Sequence, residues 1–169
     1  MTPLIHSIWL LPKTEDETLL AEVVAELSRR FDTPLFAPHL TVKGDTDLPL
    51  AALEAAIAEA AGEVARFAEE IAAIETSESY FRSFYARFAV SAPLARLKQK
   101  LDADAADAFM PHVSLLYGPV APELKAAAAA EVGRRLKGRA ISFDRLCVVR
   151  SGQDIPIADW RVIATARLR

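Results

Sequence analysis

The length, composition and charge of the chain are those of a globular domain and exclude several classes of protein. Its 169 residues are 52% hydrophobic and 25% charged, which excludes a disordered or collagen-like chain. The net charge of −3 disfavours a long nucleic acid as partner, and the single cysteine excludes both a disulfide framework and a cysteine-built zinc site. We expect one domain over residues 1–169, acting as a monomer.

The first third of the chain predicts two strands and two helices. Residues 4–11 are mostly large and apolar and are followed by Pro12, a pattern that indicates a buried strand. Apolar residues at helical spacing predict a helix over 15–31, and residues 40–44 predict a short strand. A second helix begins after Asp47, with its apolar face at Leu50, Leu53, Ile57 and Val64.

The remaining elements do not alternate regularly between strand and helix. The sequence predicts strands at 67–76, 80–90, 112–118, 141–148 and 160–168, with helices near 92–101 and 122–137. Such an order favours an α+β domain with a mainly antiparallel sheet over a doubly wound fold.

The N-terminal segment predicts neither export nor a membrane anchor. Residues 1–12 contain no basic leader, and His6 and Ser7 interrupt their apolar stretch. The stretch is too short to cross a bilayer. We therefore expect a cytoplasmic protein with no membrane partner.

One short pattern occurs twice. Residues 38–42 read Pro-His-Leu-Thr-Val, and residues 111–115 read Pro-His-Val-Ser-Leu. Because side chains alternate along a strand, His39 shares a face with Thr41, and His112 shares a face with Ser114. Two such strands facing each other would line a cleft with two imidazoles and two hydroxyls.

This set of groups is suited to phosphate chemistry. An unperturbed imidazole has a pKa of about 6.5, so one ring can accept a proton while the other donates one. The hydroxyls can donate hydrogen bonds to phosphate oxygens. A metal site is disfavoured because zinc takes at least three protein ligands, and a serine hydrolase is disfavoured because no G-x-S-x-G turn is present.

The two motifs resemble those of the two-histidine (2H) phosphoesterase superfamily, defined by two His-x-Thr/Ser motifs. The similarity is greatest to its cyclic phosphodiesterases and is carried by residues 7–12, 36–42 and 110–118. It implies an α+β, bilobal, LigT-like fold: two pseudo-symmetric antiparallel sheets flanked by helices, with a central cleft. It also implies hydrolysis that requires no metal or other cofactor.

The resemblance assigns roles to six residues. His39 and His112 would be the catalytic acid–base pair, and Thr41 and Ser114 would bind the substrate phosphate. Which imidazole is the acid depends on how the substrate lies. Trp9 and Tyr117 would contact the base or ribose, although strict strand alternation places Tyr117 on the face opposite His112.

The implied activity is hydrolysis of a small cyclic-phosphate nucleotide. The substrates would be nucleoside 2′,3′-cyclic phosphates or ADP-ribose 1″,2″-cyclic phosphate. One alternative is an RNA 2′,3′-cyclic phosphodiesterase of the 2′-5′ RNA ligase-like branch, which processes RNA ends and which the acidic charge disfavours. The other is a nucleotide-binding module without catalysis, which the two complete motifs oppose.

Four other residues are expected to take no part in catalysis. His6 lacks a hydroxyl residue two positions later and lies between aliphatic neighbours, so we expect it to be structural. Lys43 and Arg82 fit solvent-facing positions better than contact with a substrate phosphate. Cys147, between Leu146 and Val148, fits a buried thiol without chemistry.

Overall fold

The computed structural model describes residues 4–169, so the first three residues of the predicted domain lie outside it. The described residues form four helices: α1 (Thr14–Phe31), α2 (Leu50–Glu63), α3 (Ala92–Asp102) and α4 (Pro122–Leu136). Their strands are β1 (His6–Pro12), β2 (Leu40–Thr46), β3 (Phe67–Thr76), β4 (Phe84–Phe88), β5 (His112–Leu116), β6 (Ala140–Arg150) and β7 (Arg161–Arg167).

All the strand pairs are antiparallel, which confirms the predicted α+β class. The strand order is β1-β2-β5-β4-β3-β6-β7, and β1 also pairs with β6. The strands therefore form one seven-stranded sheet that closes on itself, with two halves, β2-β1-β6-β7 and β5-β4-β3, joined where β2 pairs with β5 and where β6 pairs with β3. One junction is the single pair Leu40–Val113, and the other pairs Phe67–Glu70 with Ala140–Phe143.

The helices cover the outer surface of this sheet. Helix α1 packs on β5 and β1, α2 on β6 and β7, α3 on β2, and α4 on β3. Strand β1 is buried on both faces: Ile8 and Leu10 join the main core beneath the helices. Trp9 and Leu11 face the other way and pack with Cys147 and Val149. This alternation carries Ser7 and Trp9 to the inner face.

The start of α3 and the end of α4 follow local rules for helix termini. Ser91 caps α3 by accepting a hydrogen bond from the Leu94 N–H, and Gly138 follows α4 with a φ of +82°, a left-handed conformation that favours glycine. Helix α1 begins differently, because its N-cap is Lys13, with no side-chain cap. Glu17 instead forms an ion pair with Arg145 on β6 at 2.8 Å.

The predicted strand 80–90 is shorter in the structure. Residues 80–82 form a single 3₁₀ turn, and β4 covers only Phe84–Phe88. The turn forms because Ser77 bonds back to both Arg82 and Ser83: its hydroxyl donates to the Arg82 carbonyl, and its N–H donates to the Ser83 carbonyl at 3.0 Å. No helix among residues 4–169 is long and apolar enough to cross a membrane.

Candidate active site

A cleft of about 490 Å³ opens on the inner face of the sheet, where β2 and β5 meet. Its volume lies within the range of small-molecule sites, roughly 300–1,000 Å³. All six residues that the resemblance singled out line this cleft: Trp9, His39, Thr41, His112, Ser114 and Tyr117.

The pairing of β2 with β5 explains how two distant motifs meet. Leu40 is the Cα partner of Val113 in an antiparallel register. In that register His39 is adjacent to Ser114, and Thr41 is adjacent to His112. Each imidazole therefore lies beside the hydroxyl of the other motif, on one face of the sheet.

Both imidazoles are held by the same backbone contact. The Nδ1 atom of His39 lies 2.7 Å from the Ala37 carbonyl oxygen, and that of His112 lies 2.8 Å from the Met110 carbonyl oxygen. A carbonyl only accepts hydrogen bonds, so each Nδ1 carries the proton. The Nε2 atom of each ring is then the nitrogen available to accept or return a proton.

The prolines of the motifs explain this contact. Pro38 and Pro111 each directly precede a motif histidine and directly follow the residue whose carbonyl accepts the hydrogen bond from that histidine. A residue that precedes proline is restricted to extended conformations, and proline itself has a fixed φ. These restrictions limit where the two carbonyls can lie, so the tautomer of each imidazole is set by local sequence.

The surroundings lower the pKa of both imidazoles. His39 is 6% exposed, and burial lowers its pKa to about 4; the bond to Ala37 opposes the shift, and the charge of His112 adds to it. Burial also lowers the pKa of His112, against the bond to Met110 and with help from the Arg82 guanidinium. The two rings therefore lie close enough to influence each other electrostatically.

The two hydroxyls differ in their present partners. Ser114 is buried, and its Oγ donates to the Phe81 carbonyl at 2.9 Å. Thr41 is half-buried on the cleft wall. Ser114 therefore links the second motif to the turn at residues 80–82.

Both predicted aromatic residues line the cleft, Trp9 by alternation along β1 and Tyr117 in spite of alternation along β5. Strand β5 ends at Leu116 and Gly118 adopts a φ of +114°, so the chain turns and Tyr117 reaches the cleft. Its ring stacks on Phe36 with centroids 3.8 Å apart. Trp9 stacks on His39 and is only 5% exposed.

The cleft also contains residues that the sequence did not assign to binding, among them Phe81, Trp160 and Arg82; Arg82 was expected to face solvent, and it is exposed at the cleft. Phe81 and Arg82 reach the cleft from the 80–82 turn, where a strand was expected. Trp160 stands just before β7, and its indole N–H donates to the Gly152 and Ile155 carbonyls. Its ring contacts Tyr117 edge-on at 5.9 Å and Phe81 at 5.9 Å. The signal available for Trp160 was a tryptophan that directly follows an irregular segment, residues 151–159, containing one glycine and one proline.

Outside the cleft, the other predictions have mixed outcomes. Lys43 is not solvent-facing as expected, because it is half-buried in an ion pair with Asp102 at 3.0 Å. Cys147 is a buried thiol, as predicted. His6 is buried, and neither ring nitrogen has a hydrogen-bond partner among the described residues. Within residues 4–169, no group of three or more His, Cys, Asp and Glu side chains could hold a metal ion.

Comparison with known proteins places the chain in a family. The family model of the 2′-5′ RNA ligase superfamily matches residues 12–155. The chain belongs to this superfamily. It is a 2H phosphoesterase, as the two motifs predicted. The matched range contains both motifs and Tyr117, whereas Trp9 and Trp160 fall outside it.

Members and structural neighbours of the superfamily resemble the chain over nearly its whole length. A cyclic phosphodiesterase of Arabidopsis thaliana is 22% identical over 172 residues, which cover 97% of this chain and 95% of the relative. The crystal structure of E. coli LigT with 3′-AMP gives a TM-score of 0.60 at 15% identity, covering 99% of both chains. The TT0787 protein of Thermus thermophilus gives 0.66 at 18% identity, covering 98% of both. The LigT-like fold is therefore confirmed.

Proposed function

We propose that this 2H phosphoesterase hydrolyses cyclic phosphates of small nucleotides to phosphomonoesters, without a metal. The candidate substrates are nucleoside 2′,3′-cyclic phosphates and ADP-ribose 1″,2″-cyclic phosphate. The proposal rests chiefly on the paired arrangement of His39 and His112, each held at Nδ1 by a carbonyl and each beside a hydroxyl of the other motif.

His39 is the proposed general base. With a pKa of about 4, it is neutral near pH 7, and its Nε2 can accept a proton. Nε2 would take the proton from a water whose oxygen forms a new bond to phosphorus. The buried position of His39 keeps bulk water from competing for that nitrogen.

His112 would complete the reaction as the general acid. The imidazolium form of His112, which the negative charge of a bound phosphate favours, donates its Nε2 proton to the sugar oxygen as the bond between that oxygen and phosphorus breaks. The net change is the addition of one water to a cyclic phosphodiester, which yields a phosphomonoester and a free hydroxyl. Proton exchange with solvent returns both imidazoles to their starting states.

The hydroxyls and the aromatic walls would hold the substrate. Thr41 and Ser114 donate hydrogen bonds to the non-bridging phosphate oxygens, which become more negative as the water attacks. For Ser114 this requires exchanging its present acceptor, the Phe81 carbonyl, for the phosphate. Burial raises the pKa of Tyr117, so its phenol stays protonated and can also donate.

The base or ribose would lie against the aromatic surface that Tyr117 and Trp160 form together along the cleft. Those two rings meet edge-on at 5.9 Å, and both line the cleft. Trp9 and Tyr117 each have one ring face covered, Trp9 by His39 and Tyr117 by Phe36. Of these three rings, the half-buried Trp160 therefore offers a base the most accessible aromatic surface. We therefore assign Trp9 to holding His39, and Tyr117 with Trp160 to the base or ribose.

A second candidate function is the hydrolysis of 2′,3′-cyclic phosphates at RNA ends. The description of the matching family, a 2′-5′ RNA ligase superfamily, names RNA and so supports RNA as a substrate class. The net charge of −3 opposes it, because affinity for a long phosphate backbone requires several Lys or Arg contacts. A mononucleotide and a short oligonucleotide with the same cyclic end would separate the two by their kcat/KM values.

The test is hydrolysis of 2′,3′-cyclic AMP in EDTA by the wild type and by two single variants. We expect turnover in the wild type and a loss of at least ~10²-fold in His39→Ala and in His112→Ala, the range for general acid–base groups. His6→Gln is the matched control, since His6 is the third histidine of the chain and does not line the cleft. Full activity in either cleft variant contradicts the mechanism.

A further inference from the structure

The cleft contains little positive charge for a site that would bind a phosphate. Among the described residues that line it, Arg82 is the one permanent cation and Asp45 the one permanent anion. His39, with its pKa of about 4, is uncharged near pH 7. Without Arg82, no permanent positive charge in the described lining would offset the negative charges of the phosphate and of Asp45.

The side chain of Arg82 is unpaired in the part of the chain that the structure describes. No carboxylate in residues 4–169 forms an ion pair with it, whereas the neighbouring Arg87 pairs with Glu75. The other cation close to the motifs, Lys43, is paired with Asp102 and does not line the cleft. The guanidinium of Arg82 therefore keeps its five N–H donors for a ligand.

The turn that carries Arg82 is fixed to the second motif. The Gly118 N–H donates to the Tyr80 carbonyl at 3.1 Å, and the Ser83 hydroxyl donates to the Gly118 carbonyl at 2.9 Å. Arg82 thus lies between two residues that are bonded to the residue after Tyr117, and these bonds remain when Ser114 exchanges the Phe81 carbonyl for the phosphate. This anchoring keeps its backbone close to His112 and Ser114.

A buried lysine secures the same turn from the outer side. Lys125, in the first turns of α4, donates to the Ser77 carbonyl at 2.6 Å and to the Ser83 hydroxyl at 3.1 Å. Its side chain is buried, and none of the ion pairs within residues 4–169 involves it. Both ends of the 77–83 segment are therefore held in place around Arg82.

We propose that Arg82 is a third phosphate-binding group of this site, in addition to the two hydroxyls, and that it stabilises the charge developing on the phosphate oxygens. The inference rests on the proposed function and names a residue outside both motifs. A planar guanidinium can donate two parallel hydrogen bonds to a phosphate, and its charge is permanent.

The effect of Arg82 on His112 agrees with this position. The guanidinium lowers the pKa of the imidazole, which places its charge within electrostatic reach of the second motif. A phosphate bound between them would neutralise that charge. The acid His112 would then hold its proton more readily with substrate bound than in the empty cleft.

The first arm of the test compares hydrolysis of 2′,3′-cyclic AMP by Arg82→Gln, Arg82→Lys and the wild type. We expect kcat/KM to fall about 10²-fold in Arg82→Gln, as when one transition-state donor is removed, and by less in Arg82→Lys. Arg134→Gln removes an exposed arginine far along α4 and should match the wild type. An Arg82→Gln rate within twofold of the wild type overturns the proposal.

The second arm measures binding of 3′-AMP by calorimetry, which does not depend on turnover. We expect Kd to rise at least tenfold in Arg82→Gln and to stay unchanged in Arg134→Gln. A wild type that binds 3′-AMP but hydrolyses no cyclic phosphate overturns the proposed function alone. Equal Kd values in the wild type and Arg82→Gln overturn the role of Arg82, whatever the turnover.

Discussion

The indole of Trp9 lies flat against the imidazole of His39, with ring centroids 3.5 Å apart and planes 9° from parallel. The pairing of β1 with β2 causes this contact, because Trp9 is the Cα partner of Thr41, two residues beyond His39. Trp9 thus covers a face of the imidazole that would otherwise meet water. The burial that lowers the pKa of His39 depends in part on this one ring.

The first prediction concerns that stacking. Replacing Trp9 by Leu should let water reach the imidazole and raise the pKa of His39 from about 4 toward 6.5. Trp9→Phe keeps an aromatic ring in place and should shift the pKa less. NMR titration of the imidazole carbon protons measures both variants. An unchanged pKa of His39 in Trp9→Leu would show that other groups provide its burial.

The second prediction concerns stability at low pH. The folded-state pKa of His39 lies below its unfolded value, so the unfolded chain binds an extra proton between pH 6.5 and about 4. The wild type should therefore lose up to about 3 kcal/mol more stability over that interval than His39→Gln. Urea unfolding at pH 7, 5.5 and 4 gives the comparison. Parallel curves for the two proteins would contradict the lowered pKa.

The third prediction tests whether Trp160 and the hydroxyl of Tyr117 contact different parts of the substrate. Trp160→Leu removes a ring that contacts Tyr117 and Phe81 but leaves both histidines in place, so KM should rise several-fold while kcat changes little. Tyr117→Phe removes only a hydroxyl and should lower kcat/KM about tenfold if the phenol donates to the phosphate. Steady-state kinetics on 2′,3′-cyclic AMP tests both. A normal KM in Trp160→Leu would place the base elsewhere.

The fourth prediction concerns the anchoring lysine. Lys125→Met preserves the length of the side chain but leaves the Ser77 carbonyl and the Ser83 hydroxyl without their donor. The free energy of unfolding should fall by about 1–3 kcal/mol, the cost of unsatisfied buried polar groups. Lys137→Met, at the exposed end of the same helix, should leave stability unchanged. Equal unfolding midpoints in urea would contradict the anchoring role.

The parts of the site that follow from local sequence could be predicted. The repeated Pro-His pattern fixes the direction of each histidine, and alternation along β2 and β5 places each hydroxyl on the same face as its histidine. Residues 67–76 also form the strand that their pattern predicted. These features depend on neighbours only a few residues away, so the sequence is enough to identify them.

The parts that depend on distant contacts were not predicted. Arg82 reaches the cleft because Ser77, Ser114 and Lys125, from three different segments, hold its turn. Trp160 reaches it through bonds to Gly152 and Ile155 in the segment before β7. The pairing of Leu40 with Val113 joins residues far apart in sequence, so only the repeat indicated that the motifs would meet.

The central claim is that His39 and His112 act on one phosphate, and NMR titration of the wild type with 3′-AMP tests it most directly. We expect the imidazole resonances of both histidines to shift along binding curves with one Kd, while those of His6 stay in place. A ligand that moves only one of the two cleft imidazoles, or that moves His6 instead, would contradict the claim.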